Sequence, residues 1–272
     1  MNNPQSPDPA ETYEQYLGPT IADPWTRVLL EYASPCCGER VLDVACGTGS
    51  VARQVAPIVG IEGKVVALDV NPDMLRVARR LAAPRGAAIE WLQGDAAHLD
   101  LPDDAFDLVL CQQGLQFFSG RDASLREMRR VLATGGRVVL SVWRSLPEHP
   151  LYETLLEATA RRLDVPVSAV DLSFSLWDAQ ELRGLLGAAG FRQIEVTPCS
   201  LTVRLPSPER FVQLTVAGAA TSVPAFAQLD AAARRALVES VGGEVQAAIQ
   251  RFHEDDMLVF PMHAHIAIGY AH

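Results

Sequence analysis

The chain has 272 residues and carries 23 Lys+Arg against 33 Asp+Glu, a formal net charge of −10. That balance argues against a protein that holds nucleic acid or an anionic membrane by general electrostatics. With 49% hydrophobic and 21% charged residues, the composition is that of a soluble globular protein able to bury a large core.

The first ten residues, MNNPQSPDPA, have neither a basic start nor an apolar h-region and read as a disordered leader rather than a secretory signal. Over 11–36 helical structure is expected. Tyr13, Tyr16 and Leu17, then Trp25, Val28, Leu29 and Tyr32, recur at helical spacing around a break at Gly18-Pro19, which predicts two short amphipathic helices. Five cysteines, Cys36, Cys37, Cys46, Cys111 and Cys199, are odd in number and irregular in spacing. They suit a reducing cytosol, hence a cytoplasmic protein, and no metal site is expected from their pattern. The longest uncharged stretch, from Phe211 to Leu229, is interrupted by Gln213, Thr215, Thr221, Ser222 and Pro224 and is no membrane span.

From residue 40 the pattern becomes an alternation. β-rich runs at 40–44, 64–70, 88–92, 106–111 and 137–143 are separated by helical segments at 50–59, from Pro72, and at 121–132, the last stopping at Gly135-Gly136. Asn71 followed by Pro72 is an N-cap with Pro at N1. This order predicts an α/β fold with a doubly wound, mostly parallel sheet, whose ligands sit at the carboxyl ends of the strands. Helices are predicted near 151–163 and 179–189, and two closing strands at 191–205 and 257–270. The core is therefore assigned to 37–206 and 254–272. An Ala-rich helical insertion is expected at 207–253, with Gly218, Pro224 and Gly242-Gly243 as breaks or hinges.

VLDVACGTGS places Gly47 and Gly49 directly after an apolar strand and before a helix, where glycine permits a tight turn and close approach of a ligand to the backbone. Asp43, Asp69 and Asp95 stand at the ends of three successive strands and converge on one cleft, which points to a nucleoside ligand. Asp69 is placed to accept both hydroxyls of a ribose, and Asp95, in Gly94-Asp95-Ala96, to meet an adenine amine. The spacing of Gly47, Gly49 and Ala52 also satisfies a dinucleotide fingerprint. A pyrophosphate over this loop would meet Asp43 with no Lys or Arg to offset it, so the acidic loop favours an adenosine carrying an amino acid.

These stretches resemble the class I S-adenosylmethionine-dependent methyltransferases, and within them the branch of ubiquinone/menaquinone-biosynthesis C-methyltransferases. The resemblance rests on VLDVACGTG, VVALDVNPDML, WLQGDAAHLDLPDDAFDLVLCQQGLQFF and LREMRRVLATGGRVVLSVW, over about residues 38 to 144. It implies S-adenosylmethionine as methyl donor and a seven-stranded sheet with an antiparallel last strand. It further implies that Asp43 and the loop of Gly47, Thr48 and Gly49 hold the methionine part and that Asp69 binds the ribose. Val70 and Met74 would flank the adenine, Gly94, Asp95 and Ala96 would read its edge, and Gln112 would lie near the methionine ammonium. The N-terminal helices over 11–36 would close as a lid over the donor, with Tyr13 and Tyr16 as its candidate residues.

Methyl transfer from a sulfonium needs alignment and exclusion of water, and a general base only where the acceptor must lose a proton first. Among six histidines, His149 follows the fifth strand in SVWRSLPEHP and is the candidate base. His98 belongs to the cofactor side or to solvent, and His263 and His265 alternate along the last strand. Gln113, Gln116 and Phe117 are candidates to face the acceptor, and the insertion at 207–253, emerging beside the carboxyl ends of the sheet, is assigned as a lid over it. CQQGLQFF stands where amino-methylating nucleic acid enzymes carry an Asn/Asp-Pro-Pro-aromatic signature, so a small-molecule acceptor is expected. Two other readings stay open at this point: an NAD-dependent oxidoreductase, and a non-catalytic protein that binds the donor.

Overall fold

The computed structural model describes residues 8–219 and 223–272. Within these, the contacts divide the chain into two units. One comprises 8–21, 145–175, 200–219 and 223–263, and the other 22–144, 176–199 and 264–272.

The second unit holds the alternating part. Strands β1 (Arg40–Val44), β2 (Lys64–Asp69), β3 (Ile89–Gln93), β4 (Phe106–Gln112) and β5 (Leu132–Trp143) pair in parallel. With β6 (Arg192–Pro206), β7 (His253–Glu254) and β8 (Met257–Tyr270) the sheet has eight strands in the order β3-β2-β1-β4-β5-β8-β6, the two-residue β7 pairing with β8 off this path. β8 runs antiparallel to β5, with Trp143 opposite Ala264. This is the doubly wound sheet the alternation predicts, with the short β7 added.

Alternating residues explain why its strands read as unbroken apolar runs. Val41, Val65, Ala67, Leu108, Leu110 and Val139 pack on one face with helices α2 (Asp23–Ala33), α3 (Ser50–Val59) and Leu75 of α4 (Pro72–Arg80). Leu42, Val66, Val109, Val138 and Leu140 pack on the other with α5 (Arg121–Val131) and α7 (Ala179–Ala188). A parallel sheet covered on both faces has no solvated side, so polar alternation is lost. The Asn71 side chain caps α4 by accepting from the backbone of Asp73, with Pro72 in the first turn.

β5 begins at Leu132, five residues before the expected start. Gly135-Gly136 does not end the preceding helix in a loop but lies within the strand. Gly135 has φ +81°, and a Cβ on Gly136 would come within 3.0 Å of the Asp107 carbonyl oxygen.

The other unit is mainly helical. The last residues of the expected leader open helix α1 (Pro9–Thr12), capped by Asp8, whose carboxylate accepts from Ala10 N at 2.9 Å. Residues 1–7 of the leader lie outside the described residues. The expected break at Gly18-Pro19 is absorbed: Tyr13–Ala22 is one π-helical stretch with Pro19 inside it, continuing into α2. Proline removes one N–H, and the wider turn accommodates the ring without ending the helix. The remaining helices are α6 (Pro150–Leu163), α8 (Phe211–Ala219), α9 (Pro224–Ala227) and α10 (Ala231–Arg251). Pro224 opens α9, but Gly242-Gly243 makes no break, because α10 runs through it as one helix of 21 residues. Leu237, Val241, Val245 and Ile249, spaced four apart and buried, offset the intrinsic cost of the two glycines.

Candidate functional site

The site is built from the turn after β1. Ala45, Gly47 and Gly49 take positive φ values of 58°, 55° and 90°. The turn is fixed by Cys46 N donating to Leu68 O at 3.0 Å and Gly49 N donating to Cys46 O at 2.8 Å. A Cβ on Gly49 would overlap Cη2 of Trp91 and come within 2.8 Å of its Cζ3, so the turn is pressed against that ring and only glycine fits. At Gly47 a Cβ would meet nothing within 4 Å, and the backbone there is open to a ligand.

Asp43 lies beneath the turn, buried. Its Oδ2 accepts from Ala52 N at 3.0 Å, and its Oδ1 has no partner among the described residues. Burial pushes the carboxyl up to about 8, against the opposing pull of the Ala52 hydrogen bond. The charge of Arg53 also acts to lower it. The Arg53 guanidinium donates to the carbonyl of Thr48. This corrects the electrostatic reading of the loop: a cation does stand beside it, one turn into α3, at a position the sequence displays but the spacing rule does not examine.

Asp69 at the end of β2 joins that strand to the turn. Its Oδ2 accepts from Gly47 N at 2.7 Å and its Oδ1 from Asn71 N at 2.8 Å, and burial raises its pKa above the ordinary value. Each carboxylate oxygen has a second lone pair, which leaves capacity for ligand hydroxyls. Next to it Val70 is exposed and Met74 is buried on α4, so Val70 offers apolar surface while Met74 belongs to the core. Gly94 N donates to Asp69 O at 3.1 Å. Asp95, exposed, closes its own turn by accepting from Ala97 N at 2.9 Å, and Ala96 is buried.

β4 contributes the facing wall. Gln112 Nε2 donates to Ala22 O at 3.0 Å, while its Oε1 is buried without a partner among the described residues. Gln113 takes φ +51°, its N–H donates to Ser141 O at 3.0 Å, and its Oε1 accepts from Gln116 Nε2 at 3.3 Å. Its Nε2 is buried with no partner among the described residues. Thr48 Oγ1 and Ser50 Oγ add to these buried polar atoms, unsatisfied by the described residues, at the carboxyl ends of β1 and β4. Native interiors hold few such atoms, and a cluster of them marks a place for a polar ligand.

His149 lies in the helical unit, and both of its ring nitrogens are committed. Nδ1 is 2.9 Å from Ser145 O, and Nε2 accepts from His263 N at 2.9 Å. Nε2 also lies 3.1 Å from His263 O, so backbone groups hold the ring at both nitrogens. The ring packs on Phe174 at 4.9 Å, and burial lowers its pKa. A histidine so held has no lone pair to offer an acceptor, so the expected general base is a structural residue. The reason was invisible locally, since one of its partners is 114 positions away. His263 Nδ1 pairs with Ser200 Oγ at 2.7 Å, His265 Nε2 with Trp177 O at 3.1 Å, and His98 is exposed. Tyr13 and Tyr16 lie in the π-helical stretch, where the Arg210 guanidinium sits 5.2 Å from the Tyr16 ring centroid and bonds its hydroxyl.

Trp91 and Arg53 are the residues that reasoning from sequence missed. Alternation on β3 marks Trp91 as one of its less exposed positions, and its distance from the glycine turn in the chain hides the contact.

Comparison with known proteins identifies the family and the fold. The family model described as "ubiE/COQ5 methyltransferase family" matches residues 15–202. A Pseudomonas putida relative, "Ubiquinone/menaquinone biosynthesis C-methyltransferase UbiE", is 42% identical over 118 residues, covering 43% of this chain and 46% of the relative. The match thus spans about half the length of that curated relative. Among solved structures, the YcgJ protein from Bacillus subtilis aligns with a TM-score of 0.57 at 19% identity, over 90% of this chain and 97% of that one. A Haemonchus contortus phosphoethanolamine N-methyltransferase 2, solved with S-adenosyl-L-methionine, aligns at 0.58 and 19% identity, over 97% and 57%. At such identities the structures speak to the fold. Together with the glycine turn, its buried acid and the strand order, the family match over 15–202 means that this chain belongs to the ubiE/COQ5 methyltransferase family.

Proposed function

We propose that this protein transfers a methyl group from S-adenosylmethionine to a small-molecule acceptor by in-line displacement. The observation that carries the reading is the buried Asp43 carboxyl, unpaired at Oδ1, beside a glycine turn open at Gly47. An unpaired buried acid is costly unless a ligand completes it, and an α-ammonium is the complement it lacks.

The fit extends along the turn. Asp43 and Gln112 offer acceptors to the ammonium, Asp69 has capacity for the ribose hydroxyls, and exposed Val70 offers a flat apolar contact to the adenine. Gly94, Asp95 and Ala96 form the turn that would read the base edge. The donor supplies, when bound, a methyl group already activated by a sulfonium. This chain's own task is then to hold, orient and exclude water. His149 takes no part in that task. Tyr13 and Tyr16 remain proposed lid aromatics, and 207–253 a proposed acceptor lid, on the strength of their places in the chain. The net charge of −10 and the absence of the nucleic acid enzymes' signature after β4 support a small acceptor over a nucleic acid. Among the described residues no helix is long and apolar enough to cross a membrane. A cytoplasmic setting stays part of the proposal and rests on the cysteine pattern.

The test is calorimetric titration with S-adenosylhomocysteine and with NAD, followed by methyl-transfer assays against a panel of small acceptors. Binding of S-adenosylhomocysteine and not NAD is expected. NAD binding alone would reject the reading in favour of an oxidoreductase.

A further inference from the structure

The donor's amino-acid end is a zwitterion and needs hydrogen-bond acceptors for its ammonium and donors for its carboxylate. Asp43 Oδ1 and Gln112 Oε1 are acceptors. Thr48 and Ser50 carry hydroxyls that serve either way. Two further buried polar atoms in the same unit can act only as donors, Nε2 of Gln113 and Nε1 of Trp25; Trp25 is 1% exposed, and its Nε1 has no hydrogen-bond partner among the described residues. An indole N–H left unpaired in the interior is costly, and only an acceptor atom relieves it.

The position of Trp25 ties it to the donor cleft. It lies three residues after Ala22, the residue whose carbonyl receives the Gln112 amide at 3.0 Å. Nearby Asp23 holds Gln54 of α3 through Oδ1 at 3.2 Å. The Trp25 ring stands edge-on to Trp143, the last residue of β5, with centroids 5.3 Å apart and planes at 82°. The first turn of α2 is thus pinned to the carboxyl ends of β4 and β5 and to the second turn of α3. Gln112 joins this turn to the cleft, because one end of its amide holds the turn and the other is the unpaired acceptor.

We infer that the Trp25 indole N–H binds the carboxylate of the donor's amino-acid end, opposite the acceptors Asp43 and Gln112, an assignment that rests on the donor reading above. Trp25 is then a binding residue that discriminates donors by their carboxylate.

The experiment compares S-adenosylhomocysteine with 5′-methylthioadenosine, which keeps the adenosine and thioether and lacks the amino acid. Trp25→Phe preserves the edge-on packing and removes the N–H. Calorimetry on the full chain should show S-adenosylhomocysteine affinity falling about tenfold or more, with 5′-methylthioadenosine affinity unchanged within about twofold. Unchanged affinity for both ligands, or an equal fall for both, would overturn the assignment, the second because it marks a packing role. If the wild-type protein binds neither ligand, the donor reading falls and this inference with it. If it binds both equally, only the inference falls. Should Trp25→Phe not fold, 15N-labelled tryptophan in the wild-type chain decides. The four indole resonances are assigned by elimination with Phe variants at Trp91, Trp143 and Trp177. The Trp25 signal must move downfield with S-adenosylhomocysteine and stay with 5′-methylthioadenosine; a signal indifferent to both overturns the proposal.

Discussion

Asp43 and His149 are both ionisable, both buried and both near the end of a strand, yet their surroundings are opposites. Each ring nitrogen of His149 is matched by a backbone group, so the residue is complete within the protein. Asp43 is matched on one oxygen only, and Thr48, Ser50, Gln112 and Gln113 around the same strand ends are also left with unpaired buried atoms. A polar group satisfied on every side contributes to folding, whereas a cluster left incomplete costs stability that is recovered when a ligand binds. The difference separates structure from function more surely than residue type does, since histidine is the commoner catalytic group.

The incomplete cluster is disrupted most severely at Gly49. With φ +90° and the Trp91 ring occupying the space a Cβ would need, Gly49→Ala is expected to cost about 2–4 kcal/mol of stability and to abolish donor binding. Thermal unfolding and calorimetry check this, and a stable variant with normal affinity would mean the turn is not what holds the ligand. Next in size, Asp69→Ala should weaken donor binding by about 1.5–3 kcal/mol, the range for hydrogen bonds to a charged group. Unchanged affinity with an intact fold would remove the ribose assignment.

Asp43→Asn separates the two residues through pH. The folded-state value of about 8 lies above the ordinary carboxyl value near 3.8, so between them the folded state holds a proton that the unfolded chain lacks. Stability of the ligand-free protein therefore falls as pH rises from about 4 to about 8, and the Asn variant should lose that slope. Donor affinity should fall about tenfold in the variant. In the wild type, binding should release a proton at neutral pH, which calorimetry in buffers of different ionisation enthalpy measures. Binding without proton release would show that the ammonium does not reach Asp43.

His149→Phe supplies the opposite signature. It strands Ser145 O and His263 N, so stability should drop by about 1–2 kcal/mol while donor affinity holds. Because the folded-state pKa is lowered, the unfolded chain takes up the proton first, and the wild type loses stability as pH falls through the ordinary value of 6.5. The Phe variant should not. A variant with unchanged unfolding temperature and lost turnover would restore His149 as a base.

The fold was legible because it depends on patterns a few residues long. Val41 and Leu42, Val65 and Val66, Leu108 and Val109 supply both faces of each strand, and Asn71-Pro72 starts α4 without outside help. The acids at the strand ends and the two glycines of the turn were legible for the same reason. What escaped were features set by distant chain: Trp91 against Gly49, the histidine completed by His263, and β5 continuing through Gly135-Gly136 to meet Ala271 O at 2.6 Å. Local rules read glycine pairs and Gly18-Pro19 as breaks, and long-range packing carried the chain through them.

The smallest expected effect concerns such a glycine pair in the helical unit. Gly242 and Gly243 look like a hinge in the sequence, yet they lie in the middle of α10, and a Cβ on either would meet nothing within 4 Å. A glycine in a helix interior costs about 0.5–1 kcal/mol relative to alanine, chiefly through backbone entropy lost on folding. Since nothing obstructs the added methyl, Gly243→Ala should stabilise the protein by about that amount, and the double variant by roughly twice as much if the sites are independent. Donor affinity should not change, because Asp43, Gln112 and the glycine turn are untouched. Turnover is the informative reading. If α10 works as a rigid rod, the variants should be more stable and equally active. If the glycines permit a bend that the proposed acceptor lid requires, stiffening them should lower kcat while stability rises, and that split would return Gly242-Gly243 to the role their sequence suggests.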